Sequence, residues 1–187
     1  MVTIDTKQLQ MVERATRNIR KGTQKVLAPA INRALSSGQT AVRREIRKVY
    51  VIKQKDIPTK VHRANYSALQ GTIAITDGML GVDKFYYSPL FPPAAGSGKR
   101  KRQLFVRIKK GGGGFVKRGF STNVKGGPYQ RRSEAPRLPI RKLLAIGAPI
   151  MASQPAVSSA ALTTMGDTLA KRIDHELQRV LAGAGGK

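Results

Sequence analysis

Apolar residues recur at three- and four-residue intervals over two long stretches near opposite ends of this 187-residue chain, and the period changes between them. In residues 25–49 the set Leu27, Ile31, Ala34, Leu35, Val42, Ile46 and Val49 keeps the helical spacing, interrupted by Gly38. Pro29 suits a first helical turn, which places the start nearer Ala28 than Lys25. In residues 158–181 Leu162, Met165, Leu169, Ile173, Leu177 and Val180 fall on one stripe behind the cap-type residues Ser158 and Ser159. A shorter amphipathic helix over residues 6–21 is read from Leu9, Val12, Ala15 and Ile19, ending at Gly22. Arg33, Arg43, Arg44, Arg47 and Lys48 then fall on a solvated helix face.

Between the helices the period drops to two. Ile73 and Ile75 alternate with Thr72, Ala74 and Thr76, and Asp77-Gly78 is a turn signal that would return residues 79–87 against that strand. Residues 88–98 hold three prolines and two glycines, which marks a loop. Leu104, Val106 and Ile108 alternate with Phe105, Arg107 and Lys109, giving a strand with a basic face. Four glycines at 111–114 form a turn, residues 115–120 return as partner strand, and Gly126-Gly127-Pro128 precedes another strand at 129–132. In residues 137–150 prolines 139 and 149 bracket a short apolar run, read as a compact docking segment.

The expected fold class is α+β: long N-terminal and C-terminal amphipathic helices packed on a small antiparallel β-sheet, with an extended basic glycine-rich hairpin. The length suits one domain over residues 1–187, helical at 6–49, strand-rich at 69–132, with the docking segment at 137–150 and the last helix at 158–181.

Charge decides what such a chain is for. Its 35 Lys and Arg against 10 Asp and Glu give a net charge of +25, and self-repulsion of that size opposes a lone compact monomer. The charge peaks in residues 99–118, where Lys99, Arg100, Lys101, Arg102, Arg107, Lys109, Lys110, Lys117 and Arg118 stand without one acidic residue. Such a stretch calls for a polyanion or an acidic protein surface, and composition alone favours nucleic acid.

Catalysis finds little support. The two histidines stand apart: His62 has no partner in sequence, and His175, although between Asp174 and Glu176, shares no helix face with either neighbour. Cysteine is absent, which removes thiolate zinc sites and cysteine nucleophiles. Gly98-Lys99 fails as a phosphate-binding loop because Pro93 stands where the first glycine belongs and Arg100 where the hydroxyl belongs. Gly114-Phe115-Val116 matches part of an RNA-recognition signature, but Gly113 and Arg118 replace two of its stacking rings. No stretch nears the ~20 apolar residues of a membrane span. No enzyme, cofactor, metal or membrane partner is expected, and a soluble protein inside a cell is.

Three spaced segments carry a resemblance: Ala30-Ile31-Asn32-Arg33, the run from Tyr50-Val51-Ile52 through Lys53-Gln54-Lys55 to Asp56-Ile57, and Arg137-Leu138-Pro139-Ile140 with Gly147-Ala148-Pro149. With these, and with Gly114-Phe115-Val116 between them, the chain resembles the bacteriophage minor tail protein Z family over about residues 7–181. The resemblance implies a structural virion protein of the tail or neck, assembled in the host cytoplasm, that completes the tail and joins it to the head-side connector. Its implied partners are the tail terminator, the tail tube, the connector and further copies of itself in a ring of six or twelve, with non-specific DNA contact as a lesser role. The other class left open is a nucleic-acid-binding basic module of ribosomal-protein-like or chromatin-like type.

Overall fold

The computed structural model describes residues 2–76, 78–89, 103–122, 127–131 and 138–185. The fold class is α+β, as the change of period predicts. The chain divides into two compact units, one made of Met1–Glu45, Thr59–Thr76 and Ala152–Lys187, the other of Ile46–Pro58 and Asp77–Met151.

The first unit is built on helices. Helix α1 (Thr6–Ala15) is capped by Asp5, whose carboxylate accepts from the Lys7 amide at 3.3 Å. The expected helix to residue 21 stops short because Thr16, only 2% exposed, turns its hydroxyl back to donate to the Val12 carbonyl at 2.7 Å. Gly22 then begins the next helix rather than ending this one. A Cβ there would lie 2.5 Å from the Thr16 Cβ, so only glycine lets the chain fold back this tightly.

Helix α2 (Gly22–Val49) therefore starts a full turn and more before Pro29, which sits inside it. The missing hydrogen bond costs ~3 kcal/mol. Burying Val26 and Leu27, 0% and 2% exposed, returns about 3–6 kcal/mol and holds the preceding turns helical. The long C-terminal helix, α4 (Pro155–Gly185), opens on a proline at its first position. Its Leu169 and Ile173 join Val12, Val26, Leu27, Ala30 and Ala34 in one buried cluster, flanked by Leu9, Ile31, Leu177 and Val180. The helices run antiparallel, since Ser37 meets Thr168 while Gly38 meets Met165. Strands β1 (Lys60–His62) and β2 (Thr72–Ala74) form an antiparallel pair, Val61 opposite Ile73. Asn32 ties this pair's connection to α2: its amide donates to the Ala64 carbonyl and its oxygen accepts from the Ala64 amide, each at 2.9 Å. The expected return of residues 79–87 onto β2 does not occur: β2 pairs with β1, residues 79–81 pair with 144–147 and residues 86–88 with 105–107.

The second unit begins with the last turn of α2 and holds the remaining strands. Strands β3 (Met79–Gly81), β4 (Tyr86–Ser88), β5 (Phe105–Arg107), β6 (Gly114–Phe115), β7 (Gly119–Phe120), β8 (Tyr129–Arg131), β9 (Ile140–Lys142) and β10 (Leu144–Gly147) make three small antiparallel sheets. Their orders are β4-β5-β6, β7-β8-β9 and β10-β3. The expected strand over 115–120 is broken into β6 and β7, which belong to different sheets. The break is a tight turn in which the Gly119 amide donates to the Val116 carbonyl at 2.9 Å and Arg118 takes a left-handed φ of 58°. Residues 140–150 are built into the sheets and the short helix α3 (Ala148–Ala152), with the Leu143 amide donating to the Pro128 carbonyl and its own carbonyl accepting from Val82. Leu80, Leu104, Tyr50, Ile57 and Met151 are all buried in this unit.

Candidate assembly surface

Five of the nine cations singled out in the sequence fall in described residues, while Lys99, Arg100, Lys101 and Arg102 lie outside them. The alternation at 104–109 does what its period demands. Leu104 and Val106 are buried, and Phe105 and Arg107 share the opposite face of β5. On that face the register sets Tyr86 opposite Arg107 and Phe105 opposite Phe115. The Arg107 guanidinium lies 5.6 Å from the Tyr86 ring centre and 5.9 Å from that of Phe105, and the Phe105 and Phe115 rings meet edge to face at 5.3 Å. Such contacts are worth roughly 0.5–1 kcal/mol each at an exposed site, so they orient Arg107 more than they stabilise the sheet.

Past Arg107 the strand runs along the end of α2. The Val51 amide donates to the Ile108 carbonyl at 2.8 Å and the Lys110 amide to the Val49 carbonyl at 2.9 Å. Lys109 thereby sits with its ammonium 6.0 Å from the ring centre of Tyr50, which is 1% exposed. Burial pushes the Tyr50 hydroxyl above its ordinary pKa. Lys110 stands exposed at the turn that follows, and Lys117 and Arg118 sit at the separate turn between β6 and β7. That second turn is held from below by Gln130, whose amide donates to the Lys117 carbonyl at 2.9 Å while its oxygen accepts from both Nε and Nη2 of Arg141. The structure thus spreads these five cations over a sheet face and two turns instead of gathering them into one patch.

The four glycines are not equivalent. A Cβ at Gly113 would fall 2.5 Å from Phe105 Cζ and 3.0 Å from the Val106 carbonyl, whereas one at Gly111 or Gly112 would meet nothing within 4 Å. Neither of these two has a left-handed φ. Gly111→Ala and Gly112→Ala should therefore each stabilise the protein by about 0.4–1 kcal/mol, chiefly by restricting the unfolded chain. Gly113→Ala should destabilise it, and chemical denaturation of the three variants reads the sign directly.

The helical period places Arg33 and Arg44 on a solvated face of α2 and gives no pairing with α4. The structure brings them into one groove with Lys171, Arg172 and His175 of α4. The signal that could have found it is the helical spacing itself, because Ser36, Ser37 and Thr40 stand beside Arg33 and Arg44 on α2.

Among the described residues no group of three or more His, Asp or Glu side chains is placed to hold a metal ion, and no helix is long and apolar enough to cross a membrane. No curated protein and no solved structure matches the chain significantly. The family model of prophage minor tail protein Z (GPZ) matches residues 8–183, nearly the whole length. Inside that match the segments that carry the resemblance have physical tasks: Asn32 holds Ala64, and Tyr50, Ile52 and Ile57 are buried. The chain belongs to the prophage minor tail protein Z family, whose members are structural proteins of the phage tail.

Proposed function

We propose that this tail protein completes the tail at its head-proximal end, as a ring whose copies contact the tail terminator, the tail tube and the head-side connector. The observation that carries the reading is the family match over residues 8–183. Exposed apolar side chains support it: Met79, Phe115, Leu138 and Ile150 in the second unit are each more than 60% exposed, at 69%, 68%, 65% and 61%. A subunit seated among neighbours covers such residues, whereas a free monomer leaves them in water. Both units then serve one assembly task, with no catalytic step and no cofactor. The stretch from Lys99 to Arg118 acts as the element that meets acidic neighbours in the particle, with Arg107 on its strand face oriented by the Tyr86 and Phe105 rings.

Two measurements test this. Mass spectrometry of purified particles should count a small fixed number of copies, six or twelve, and particles made without the chain should accumulate as unjoined heads and tails. Complete, joined particles in its absence would remove the tail-end role while leaving family membership intact. Reversing Lys99, Arg100, Lys101 and Arg102 to Glu should lower the yield of joined particles at least tenfold. Normal joining with defective DNA delivery would instead reassign that stretch to nucleic acid.

A further inference from the structure

Between α2 and α4 of the first unit runs a groove of about 830 Å³. Arg33 and Arg44 line it from α2, and Lys171, Arg172 and His175 from α4. No carboxylate is among its lining residues, and Ala41 is the one apolar side chain there. Arg44 is paired with Glu45 at 3.2 Å, and the His175 ring lies 3.8 Å from Glu176. Among the described residues Arg33, Lys171 and Arg172 have no ion pair. Like charges gathered without counter-charge work against the fold unless something anionic sits among them. The floor is hydroxylic: Thr168 donates its one hydrogen to the Thr164 carbonyl at 2.7 Å, and its Oγ1 lies 3.1 Å from Ser37 Oγ.

The dimensions narrow the choice of anion. Eleven residues separate Arg33 from Arg44, about 16 Å along α2 at ~1.5 Å per residue. Measured along a duplex axis, where one strand carries a phosphate every ~3.4 Å, that length covers about five phosphates. An acidic protein segment would be anchored by large apolar side chains, and Ala41 is the one apolar residue this lining offers them. We propose that the α2–α4 groove binds the phosphodiester backbone of nucleic acid without regard to base sequence, with Arg33, Lys171 and Arg172 contacting phosphates. The groove is distinct from the basic stretch at 99–118, and the assignment does not rest on the tail-end reading.

The test uses the full chain and a fluorescently labelled DNA duplex, with anisotropy followed from about 50 to 200 mM salt, the range over which phosphate contacts weaken steeply. The triple variant Arg33→Gln, Lys171→Gln, Arg172→Gln is compared with Arg17→Gln, Arg20→Gln, Lys25→Gln, which removes the same charge from exposed positions off the groove. Loss of three phosphate contacts should flatten the slope of log affinity against log salt by about 2.7, with the control slope unchanged. Equal flattening in both triples would overturn the proposal, because net charge alone would then account for binding. Competition by polyglutamate as effective as that by unlabelled duplex, charge for charge, would overturn it too, as would absence of binding by the parent chain. The double variant Arg33→Gln, Lys171→Gln alters only exposed side chains and should flatten the slope by about 1.8, so the result does not depend on half-buried Arg172 tolerating change. Circular dichroism melts of all variants confirm that folded protein is compared.

Discussion

An Asn32→Ala protein should be less stable by about 2–6 kcal/mol, with the loss concentrated in the first unit. Asn32 satisfies both the amide and the carbonyl of Ala64 at 2.9 Å, and Ala64 is 7% exposed. Truncation strands two buried backbone groups at once, and each unsatisfied group costs about 1–3 kcal/mol. The effect should be local before it is global, because these two bonds tie the connection between β1 and β2 to α2. Limited proteolysis should cut the variant within residues 59–76 at denaturant concentrations that leave the parent intact. Asn32→Asp keeps the acceptor for the Ala64 amide and loses the donor to its carbonyl, so it should fall between the two. An alanine variant as protease-resistant as the parent would mean that solvent satisfies Ala64 without Asn32.

The second large effect is expected at Gly38, where α2 meets α4. A Cβ there would lie 2.3 Å from Met165 Cγ, 2.4 Å from its sulfur and 3.2 Å from Ile73 Cδ1. Methionine is flexible, and alanine gains about 1 kcal/mol over glycine in a helix interior. Gly38→Ala should therefore be close to neutral. Gly38→Val adds two methyl groups that Met165 cannot clear, and overpacking of this kind costs about 1–3 kcal/mol. Spreading the helices also weakens the Ser37–Thr168 bond, adding about 1 kcal/mol. For a chain of this length each kcal/mol lowers the melting temperature by about 2–4 °C. Combining Gly38→Val with Met165→Ala should recover much of the loss, a coupling that a double-mutant cycle measures. If the double variant is as unstable as the sum of the singles, the clash is not with Met165.

The helices were legible because burial and period agree. Leu27, Ala34, Leu35, Val42, Ile46, Leu169 and Ile173 are all buried, as their spacing predicts. Their ends were less legible. Pro29 signals a start that the burial of Val26 and Leu27 overrides, and Gly22 looks like a stop yet serves as a place for the chain to turn against Thr16. In the middle the strands are three or four residues long at most, too short for alternation to name a partner. Asp77-Gly78 marks a turn by composition, but β2 pairs with β1, and the connection between them is tied to α2 by Asn32, 32 residues before Ala64. Of the basic stretch, the buried face of residues 104–106 was readable from its period. The pairing of Arg107 with Tyr86, and the groove shared by Arg33 and Lys171, depend on contacts that no local pattern records.

The first unit is assembled from three separate pieces of chain, and this has a consequence for synthesis. Leu27 and Ala34 find part of their cover only in Leu169 and Ile173, about 140 residues later. At roughly 5–20 residues per second, α2 waits on the order of ten seconds after emerging from the ribosome before α4 can close over it. Throughout that interval an apolar stripe with cationic flanks is open to chaperones and to the ribosome's own RNA. A chain cut short before α4 would leave Leu27 and Ala34 without the cover that Leu169 and Ile173 supply.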